Sequence, residues 1–277
     1  MKKRKKIWNK IIFTAGLFLV CYPLVSSMIQ RQQQKDAVAT YQSSMETEDE
    51  SQIQDVLEKA SEYNNMLFQT QGARIESLQE GILSDENYES LLNFSGTGIM
   101  GSIEIPKINV DIPIYHGTSD EVLSNGVGHF QDSSLPIGGN NTRCMLTGHR
   151  GFPNAKLFTR LDELETEDLF FISTCGEVLA YRITEIEVME PEEAEMLEIL
   201  PEKDLCTLIT CTPYGINTQR LVVTGERVPY EKMEYEDIKK NIPSFREIFF
   251  TALPFIFITI GLISFLGRKK YEKKNEN

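Results

Sequence analysis

Three side chains of the types that combine in acyl-transfer chemistry lie at the ends of β-rich runs. Cys211 closes the run that starts at Thr207, and a turn with the sequence TPYG follows it. Arg220 lies nine residues further on, where a second β-rich run begins, and His149 stands where an earlier apolar run gives way to a glycine turn. A thiol, an imidazole and a guanidinium at strand ends are the components of a thiol acyl-transfer site, so we expect them to meet.

Each component has a chemical task in such a site. A thiolate attacks a peptide carbonyl far better than a thiol does, and it needs a nearby cation or imidazole. The leaving amine needs a proton, which His149 can donate, and the oxyanion needs donors, which the permanently charged Arg220 can supply. Taken singly, a cysteine, a histidine or an arginine at these places is also explained as a buried, hydrogen-bonded or surface residue. We interpret His116 and His129 as residues of this ordinary structural kind and assign neither to catalysis.

The pattern of residues 96–230 predicts the domain that must position these side chains. Apolar and polar residues alternate with a period of two, which indicates half-buried strands. Seven or eight short strands over about 130 residues predict a closed barrel or a sandwich, so the chain is mainly β. The predicted strands lie at residues 103–105, 110–115, 143–148, 168–173, 180–188, 204–211 and 220–227.

Helices are expected before and within this domain. Residues 31–95 form an N-terminal region in which the polar stretch 31–56 is typical of a solvated stalk, with a helical extension of the first apolar run as the form it can take. Apolar residues at helical spacing over 53–71 predict one amphipathic helix. Three further helices are predicted at residues 119–124, capped by Thr118 or Ser119, at residues 191–199, opened by Pro191, and at the charged juxtamembrane segment 231–247.

Two uncharged apolar runs flank these regions, 18 residues at 11–28 and 19 residues at 248–266. Each approaches the roughly 20 residues that a helix needs to cross the hydrocarbon core. Residues 1–10 hold six Lys/Arg and no acid, and residues 267–277 hold five Lys/Arg and two Glu. Positive ends stay in the cytoplasm, so we expect a two-pass membrane protein with both tails inside and residues 31–247 outside. A cleaved signal peptide is the alternative for the first run.

Charge and cysteine usage restrict the partners. The chain has a net charge of −13, and the part outside the two tails carries 17 Lys/Arg against 39 Asp/Glu, or −22. That acidic balance excludes nucleic acid as a partner and disfavours docking on anionic lipid. The five cysteines show no metal-binding spacing, and we predict neither a metal nor a cofactor. Cys144 and Cys206 are interpreted as small buried residues, and a disulfide between them stays open as the alternative.

The sequence around the three candidate residues resembles the sortases, and in particular class C, the pilin-polymerising sortases. Residues 207–211, TLITC, fit the family pattern TLxTC, and the longer run TLITCTPYGINTQRLVVTGER at 207–227 is similar to the class C form. The resemblance covers roughly residues 75–230, together with the apolar run at each end. Three other segments are also similar to class C: GSIEIPKINVDIPIYHGTS at 101–119, SSLPIGG at 133–139 and TGHRGFPNAKLFTRLDEL at 147–164.

This resemblance implies an eight-stranded sortase β-barrel with Cys211 as nucleophile, His149 as acid–base partner and Arg220 as the oxyanion- or substrate-positioning group. It implies cleavage of an LPxTG-like sorting signal after Thr, a thioacyl-enzyme, and transfer to an amine that in class C is a lysine of the next pilin. The implied partners are pilin or surface-protein precursors, the acceptor amine and the membrane. A housekeeping sortase that anchors proteins to the wall precursor and a non-catalytic membrane-anchored scaffold remain as alternatives.

One segment departs from the class C pattern. Class C enzymes commonly carry a lid whose Asp-Pro-aromatic motif plugs the site. Residues 81–88 read GILSDENY, in which neither Pro nor an aromatic residue directly follows Asp85. We expect a lid that is absent, shortened or built on Tyr88 or Phe94, and a Cys211 thiol that is open to small reagents.

Overall fold

A computed structural model of the chain describes residues 2–70, 83–94, 96–151, 157–238, 248–249, 252–261 and 263. The chain forms two compact units, residues 30–241 and residues 1–29 with 242–277. Among the described residues, the helices are α1 (Lys2–Thr47), α2 (Glu50–Thr70), α3 (Asp85–Ser90), α4 (Asp120–Asn125), α5 (Pro191–Glu195), α6 (Lys232–Asp237) and a short apolar helix (Ala252–Gly261).

Eight strands of the larger unit close into one barrel, which is one of the two architectures that the strand pattern allowed and the one that the family resemblance implied. They are β1 (Ile99–Ile105), β2 (Val110–His116), β3 (Val127–His129), β4 (Thr142–Thr147), β5 (Leu169–Thr174), β6 (Glu177–Met189), β7 (Asp204–Thr212) and β8 (Gln219–Val228). Their order around the barrel is β1-β2-β3-β4-β7-β8-β6-β5. The β2–β3 and β4–β7 pairs are parallel, and the other neighbours are antiparallel.

Alternation along β4 and β7 divides their side chains between two apolar clusters. Leu146 and Leu208 lie in the main barrel core, whereas Met145 and Ile209 pack with Ala194 of α5 in a second cluster. Because successive side chains of a strand point to opposite faces, this second cluster marks the outer face of the barrel. The residue two positions beyond Ile209 on β7 therefore lies on that outer face as well.

The polar stretch predicted as a solvated stalk instead packs one helical face. Val38, Tyr41 and Met45 of α1 recur at spacings of three and four residues, and all three are buried. The Tyr41 hydroxyl donates to the Met100 carbonyl at 3.2 Å and accepts from the Cys175 N–H at 3.1 Å. The stretch extends the first apolar run as a helix to Thr47, and this face of it is not solvated, because three apolar side chains at helical spacing bury it.

The predicted amphipathic helix and the Ser119 cap are confirmed by α2 and α4, where Ser119 Oγ accepts from the Val122 N–H. The prediction at 191–199 is too long, since α5 ends at Glu195. Beyond α5 the chain is not helical, although Leu197 still packs against the outer cluster. Of the predicted juxtamembrane helix at 231–247, the structure shows α6, and residues 239–247 lie outside the described residues.

Within the described part of the chain, one helix is long and apolar enough to cross a membrane, Ile11–Thr47. The second apolar run is helical over Ala252–Gly261, which is shorter than a span of about 20 residues. The second span and the orientation of both tails therefore stay predictions. The final tail lies outside the described residues.

All five cysteines are free thiols. Cys144 of β4 and Cys206 of β7 are register partners across the parallel pair, and both are buried in the main core. They are therefore buried small residues, and the alternative of a disulfide between them is not realised in this structure.

Candidate active site

Cys211 lies one residue before the end of β7 and directly opposite Arg220 of β8 in the antiparallel register. It shares the outer face with Ile209, which is buried in the cluster beneath α5. Cys211 itself is only partly buried. Since directly paired residues have Cβ atoms about 5 Å apart, the barrel presents the thiol and the guanidinium stem as neighbours on an accessible surface.

His149 follows the end of β4, the strand parallel to β7. The last register pair of the two strands is Thr147 with Ile209, and the Gly148 N–H extends the ladder by donating to the Ile209 carbonyl at 3.1 Å. The Thr210 hydroxyl donates back to the Gly148 carbonyl at 2.7 Å. His149 is the next residue, so the parallel pairing brings it alongside the end of β7 that carries the cysteine.

Gly148 is required by the packing beneath this turn. A Cβ atom at this position would lie 2.9 Å from the Phe158 ring, which is fully buried. The Phe158 N–H donates to the His149 carbonyl at 3.2 Å and so holds the backbone of the turn. Thus the glycine in the TGHRG motif lets a buried aromatic ring support the histidine.

Arg220 is the second residue of β8 and lies between Cys211 and Met189 in the register of the sheet. Its guanidinium donates to the Gln219 carbonyl at 3.4 Å, and the side chain is partly buried. A second guanidinium, that of Arg150, is already engaged. It pairs with Asp162 and is 5% exposed. Of these two cations near the thiol, Arg220 is therefore the one placed to meet a substrate.

The Arg150 network is the part of the site that sequence reasoning missed. Arg150 Nη1 donates to Thr212 Oγ1 at 3.0 Å, and its guanidinium carbon lies 6.0 Å from the centre of the Tyr214 ring. Both Arg150 and Asp162 stand in the TGHRG to LDEL segment that carries the family resemblance. Arg150 lies in a bend and Asp162 in the turn Leu161–Glu163, so no strand or α-helix periodicity connects them in the sequence. The only sequence signal was an arginine directly beside His149.

The remaining thiols and imidazoles of the larger unit are structural. Cys144, Cys175 and Cys206 are buried, and burial raises the pKa of Cys175 to about 11. Burial also raises the pKa of Cys206, and a neutral thiol is a poor nucleophile. Although burial opposes it, hydrogen bonds from Cys206 and His129 lower the pKa of Cys144, but its side chain is 2% exposed and closed to a substrate. His129 is fully buried, with its ring nitrogens near the Tyr88 hydroxyl at 3.0 Å and the Ser134 carbonyl at 2.9 Å. These residues therefore belong to the core.

His116 is likewise held by the core, since its ring nitrogens meet the Gly98 and Leu91 carbonyls at 2.9 and 2.7 Å. Burial lowers the pKa of His116, although both backbone carbonyls oppose that shift. We expect it to hold the chain that precedes β1 against the end of β2.

The segment equivalent to the class C lid is described from residue 83 onwards, whereas residues 81 and 82 lie outside the described part. Tyr88 is buried, and its hydroxyl is bound to His129 and to the Gly117 N–H. Phe94 packs against both the main core and the α1 contact with the barrel. Tyr88 is thus an anchor in the core, so neither aromatic residue takes the part of a plug over Cys211.

Comparison with known proteins places this geometry in one family. The model of the sortase domain matches residues 103–228. Sortase C1 of Streptococcus agalactiae is 41% identical, with 71% of this chain aligned to 100% of that chain at a TM-score of 0.65. Sortase C of Clostridium perfringens, solved with the C-terminal cell wall sorting motif, is 36% identical over 70% of this chain and 99% of that one, with a TM-score of 0.59. Sortase D of Bacillus subtilis is 35% identical over 46% of this chain and 63% of its own length.

Proposed function

The chain belongs to the sortase family of cysteine transpeptidases, and we propose that it is a class C enzyme that joins pilin subunits through lysine side chains. The observation that carries the proposal is the barrel edge at which Cys211 pairs with Arg220 while the β4–β7 ladder delivers His149 beside them. Structures of sortases C from two organisms resemble the chain over about 70% of its length, which supports class C.

The proposed reaction uses these three side chains in two steps. The Cys211 thiolate attacks the carbonyl carbon of the Thr in an LPxTG-like signal, and Arg220 donates hydrogen bonds to the resulting oxyanion. Collapse breaks the Thr–Gly bond as His149 gives a proton to the leaving amine. A lysine amine then attacks the thioacyl carbonyl, loses its proton to His149 and releases the Cys211 thiolate, so that an isopeptide bond forms.

The accessible outer face supports a transfer that involves two proteins. Because Cys211 lies on that face, a sorting signal and an acceptor amine can both reach it without entering the barrel core. The C. perfringens sortase C was solved together with a cell wall sorting motif, which supports this kind of substrate for the present chain. We propose pilin or surface-protein precursors as the donors.

A housekeeping role in wall anchoring is the second candidate. Sortase A of Listeria monocytogenes is 24% identical over 87% of this chain and 99% of its own length. The two functions differ in the amine that they accept. The barrel scaffold is shared, so the acceptor must be tested directly.

The test uses the full chain in detergent with an LPxTG peptide. We expect a thioacyl adduct on Cys211 in the mass spectrum, and its absence would favour the non-catalytic scaffold. A lysine-containing acceptor peptide, the same peptide with Arg in place of Lys, and a wall-precursor amine are then supplied in parallel. Transfer to lysine and not to the Arg control supports pilin polymerisation, whereas transfer to the wall-precursor amine alone would overturn it.

Arg220→Lys is expected to lower kcat/KM by about 100-fold or more, because losing a well-placed oxyanion donor costs about 10²–10³ in rate. Lysine keeps the charge but loses the planar fork of donors. Steady-state cleavage of the LPxTG peptide measures the effect. Arg182→Lys, a change of the same type at a residue 3.8 Å from Glu167, serves as the matched control. Near-normal activity of Arg220→Lys would mean that charge alone suffices.

We also propose that the protein crosses the membrane twice, with the catalytic unit outside. Ile11–Thr47 supports the first span, and the basic residues flanking both apolar runs support cytoplasmic tails. Fixing the enzyme and a membrane-held precursor in one plane raises their effective concentration. Reporter fusions at residues 5 and 275 are expected to read cytoplasmic, and Ser43→Cys in a Cys211→Ala chain to react with an impermeant maleimide on whole cells, with the Cys211→Ala chain alone as the blank. An external residue 275 would remove the second span.

A further inference from the structure

Arg150 directly follows His149, and its guanidinium joins three separate segments of the chain. Nη1 donates to Thr212 Oγ1 at 3.0 Å, and Nη2 forms an ion pair with Asp162 in the turn Leu161–Glu163. The Arg150 side chain is 5% exposed and that of Asp162 is 31% exposed. A charged side chain buried to this extent is costly unless it is paired, so the pairing holds the guanidinium in one place.

These contacts bracket the two residues that are proposed to react. One hydrogen bond, at 2.7 Å, joins the residues that immediately precede His149 and Cys211. A second, from Arg150 to Thr212, joins the residues that immediately follow them. The β4–β7 register ends at Thr147 and Ile209, before the residues that make these two hydrogen bonds. The side-chain hydrogen bonds therefore continue the link between the two segments past the end of the ladder.

The turns that follow Arg150 and Thr212 also pack against one another. The Tyr214 ring lies 6.0 Å from the guanidinium carbon of Arg150. A Cβ atom on Gly151 would come within 2.9 Å of the same ring, so the ring lies against the backbone of Gly151. Gly151 has a φ of +78°, which a larger residue would rarely adopt. The aromatic ring therefore packs beside the Arg150 guanidinium and limits its movement.

We propose that Arg150 is a positioning residue that sets the approach of His149 to Cys211 by clamping Thr212, with Asp162 as the anchor of the clamp. The proposal rests on the catalytic roles given under the proposed function. Nucleophile and acid must meet within hydrogen-bond reach, and a misplacement of about 1 Å can cost about 100-fold in rate. Arg150 does not itself touch the substrate, because its side chain is 5% exposed and its two terminal nitrogens are engaged by Thr212 and Asp162, while its Nε is buried.

The first test compares Arg150→Met, Arg150→Lys and Thr212→Val in the full chain in detergent. We expect Arg150→Met to lower kcat for LPxTG peptide cleavage by about 10- to 100-fold while KM changes less than about threefold. Arg150→Lys keeps the charge beside Asp162 and should recover part of the rate. Thr212→Val removes only the acceptor, and its effect should be largely absent when Arg150 is already Met, since both changes break one interaction.

Arg160→Met is the matched control, because Arg160 is also a buried arginine of this region and pairs with Glu163 at 2.7 Å. It should lower the Tm comparably but leave kcat per folded molecule within about threefold. A kcat loss no larger in Arg150→Met than in Arg160→Met would overturn the clamp. Should Arg150→Met fail to fold, an unchanged kcat for Thr212→Val would overturn it equally.

A readout without substrate separates this proposal from the proposed function. The rate of Cys211 alkylation by iodoacetamide at pH 7, followed by mass spectrometry of the Cys211 peptide, reports the proximity of His149 in the absence of any sorting signal. We expect Arg150→Met and His149→Ala to change this rate in the same direction. If the wild-type chain does not cleave the peptide, the proposed function fails. If the alkylation rate of Arg150→Met equals that of the wild type, the clamp fails.

Discussion

Replacing Cys211 by Ala is expected to abolish both cleavage of an LPxTG peptide and transfer to an amine. Nothing else in the larger unit can take its place, because Cys144, Cys175 and Cys206 are buried. Thioacyl formation is followed by mass spectrometry and transfer by the appearance of the joined product. We expect both signals to fall below detection, since the covalent step has no other nucleophile.

The fold should survive this change. Cys211 is partly exposed at a strand end, and substitutions away from the core usually alter the free energy of unfolding by about 0.5 kcal/mol or less. Cys175→Ala is the matched control: a buried thiol is lost, so the Tm falls, but activity per folded molecule stays. A thioacyl adduct on any other cysteine of the Cys211→Ala chain, for example Cys206, would contradict the assignment of the nucleophile.

Replacing His149 by Ala is expected to lower kcat/KM by more than the roughly 10²–10⁴-fold that is typical of losing one acid–base group. The loss is larger here because the same imidazole both activates the thiol and protonates the leaving amine. The backbone of the turn should hold, since the Phe158 N–H binds the His149 carbonyl and not its ring. Peptide cleavage and the rate of Cys211 alkylation measure the two tasks separately.

His116→Gln is the matched control for this variant. The His116 ring is bound to two backbone carbonyls in the larger unit, so the change should lower the Tm while cleavage per folded molecule stays within about threefold. A His149→Ala chain that kept its activity within about tenfold would show that another group handles the proton, and the assignment of His149 would then be wrong.

The barrel was largely predictable because most of its strands are long enough to display their period. The runs 103–105, 110–115 and 180–188 lie within β1, β2 and β6, and each alternates apolar and polar residues in the sequence, although β1 is buried along nearly its whole length. The third strand, Val127–His129, has three residues, which is too few for a period to show. Its pairing depends on β2 and β4 as templates, and these are supplied only by the folded chain.

The lid-equivalent segment shows a similar division. The lack of an Asp-Pro-aromatic motif at residues 81–88 is visible in the sequence, and it argues against the usual plug. The destination of Tyr88 was not visible, because it follows from a hydrogen bond to His129, 41 residues away. The position of Tyr88 is determined by packing against another part of the chain, and the sequence pattern of its own segment does not report that packing.

The sequence by itself determined the residue types of the site, their place at strand ends, the family, and the apolar runs at both ends of the chain. Cys211 and Arg220 stand on consecutive β-rich runs joined by a turn, so their cross-strand pairing followed from local sequence. The placement of His149 alongside the end of β7 was decided by the tertiary structure, since it depends on the parallel pairing of β4 with β7 and on the hydrogen bond from Thr210 to Gly148, 62 residues apart. The hydrogen bond from Arg150 to Thr212 depends on the same pairing. Contacts between distant segments leave no period in the sequence, so this one could not be predicted from it.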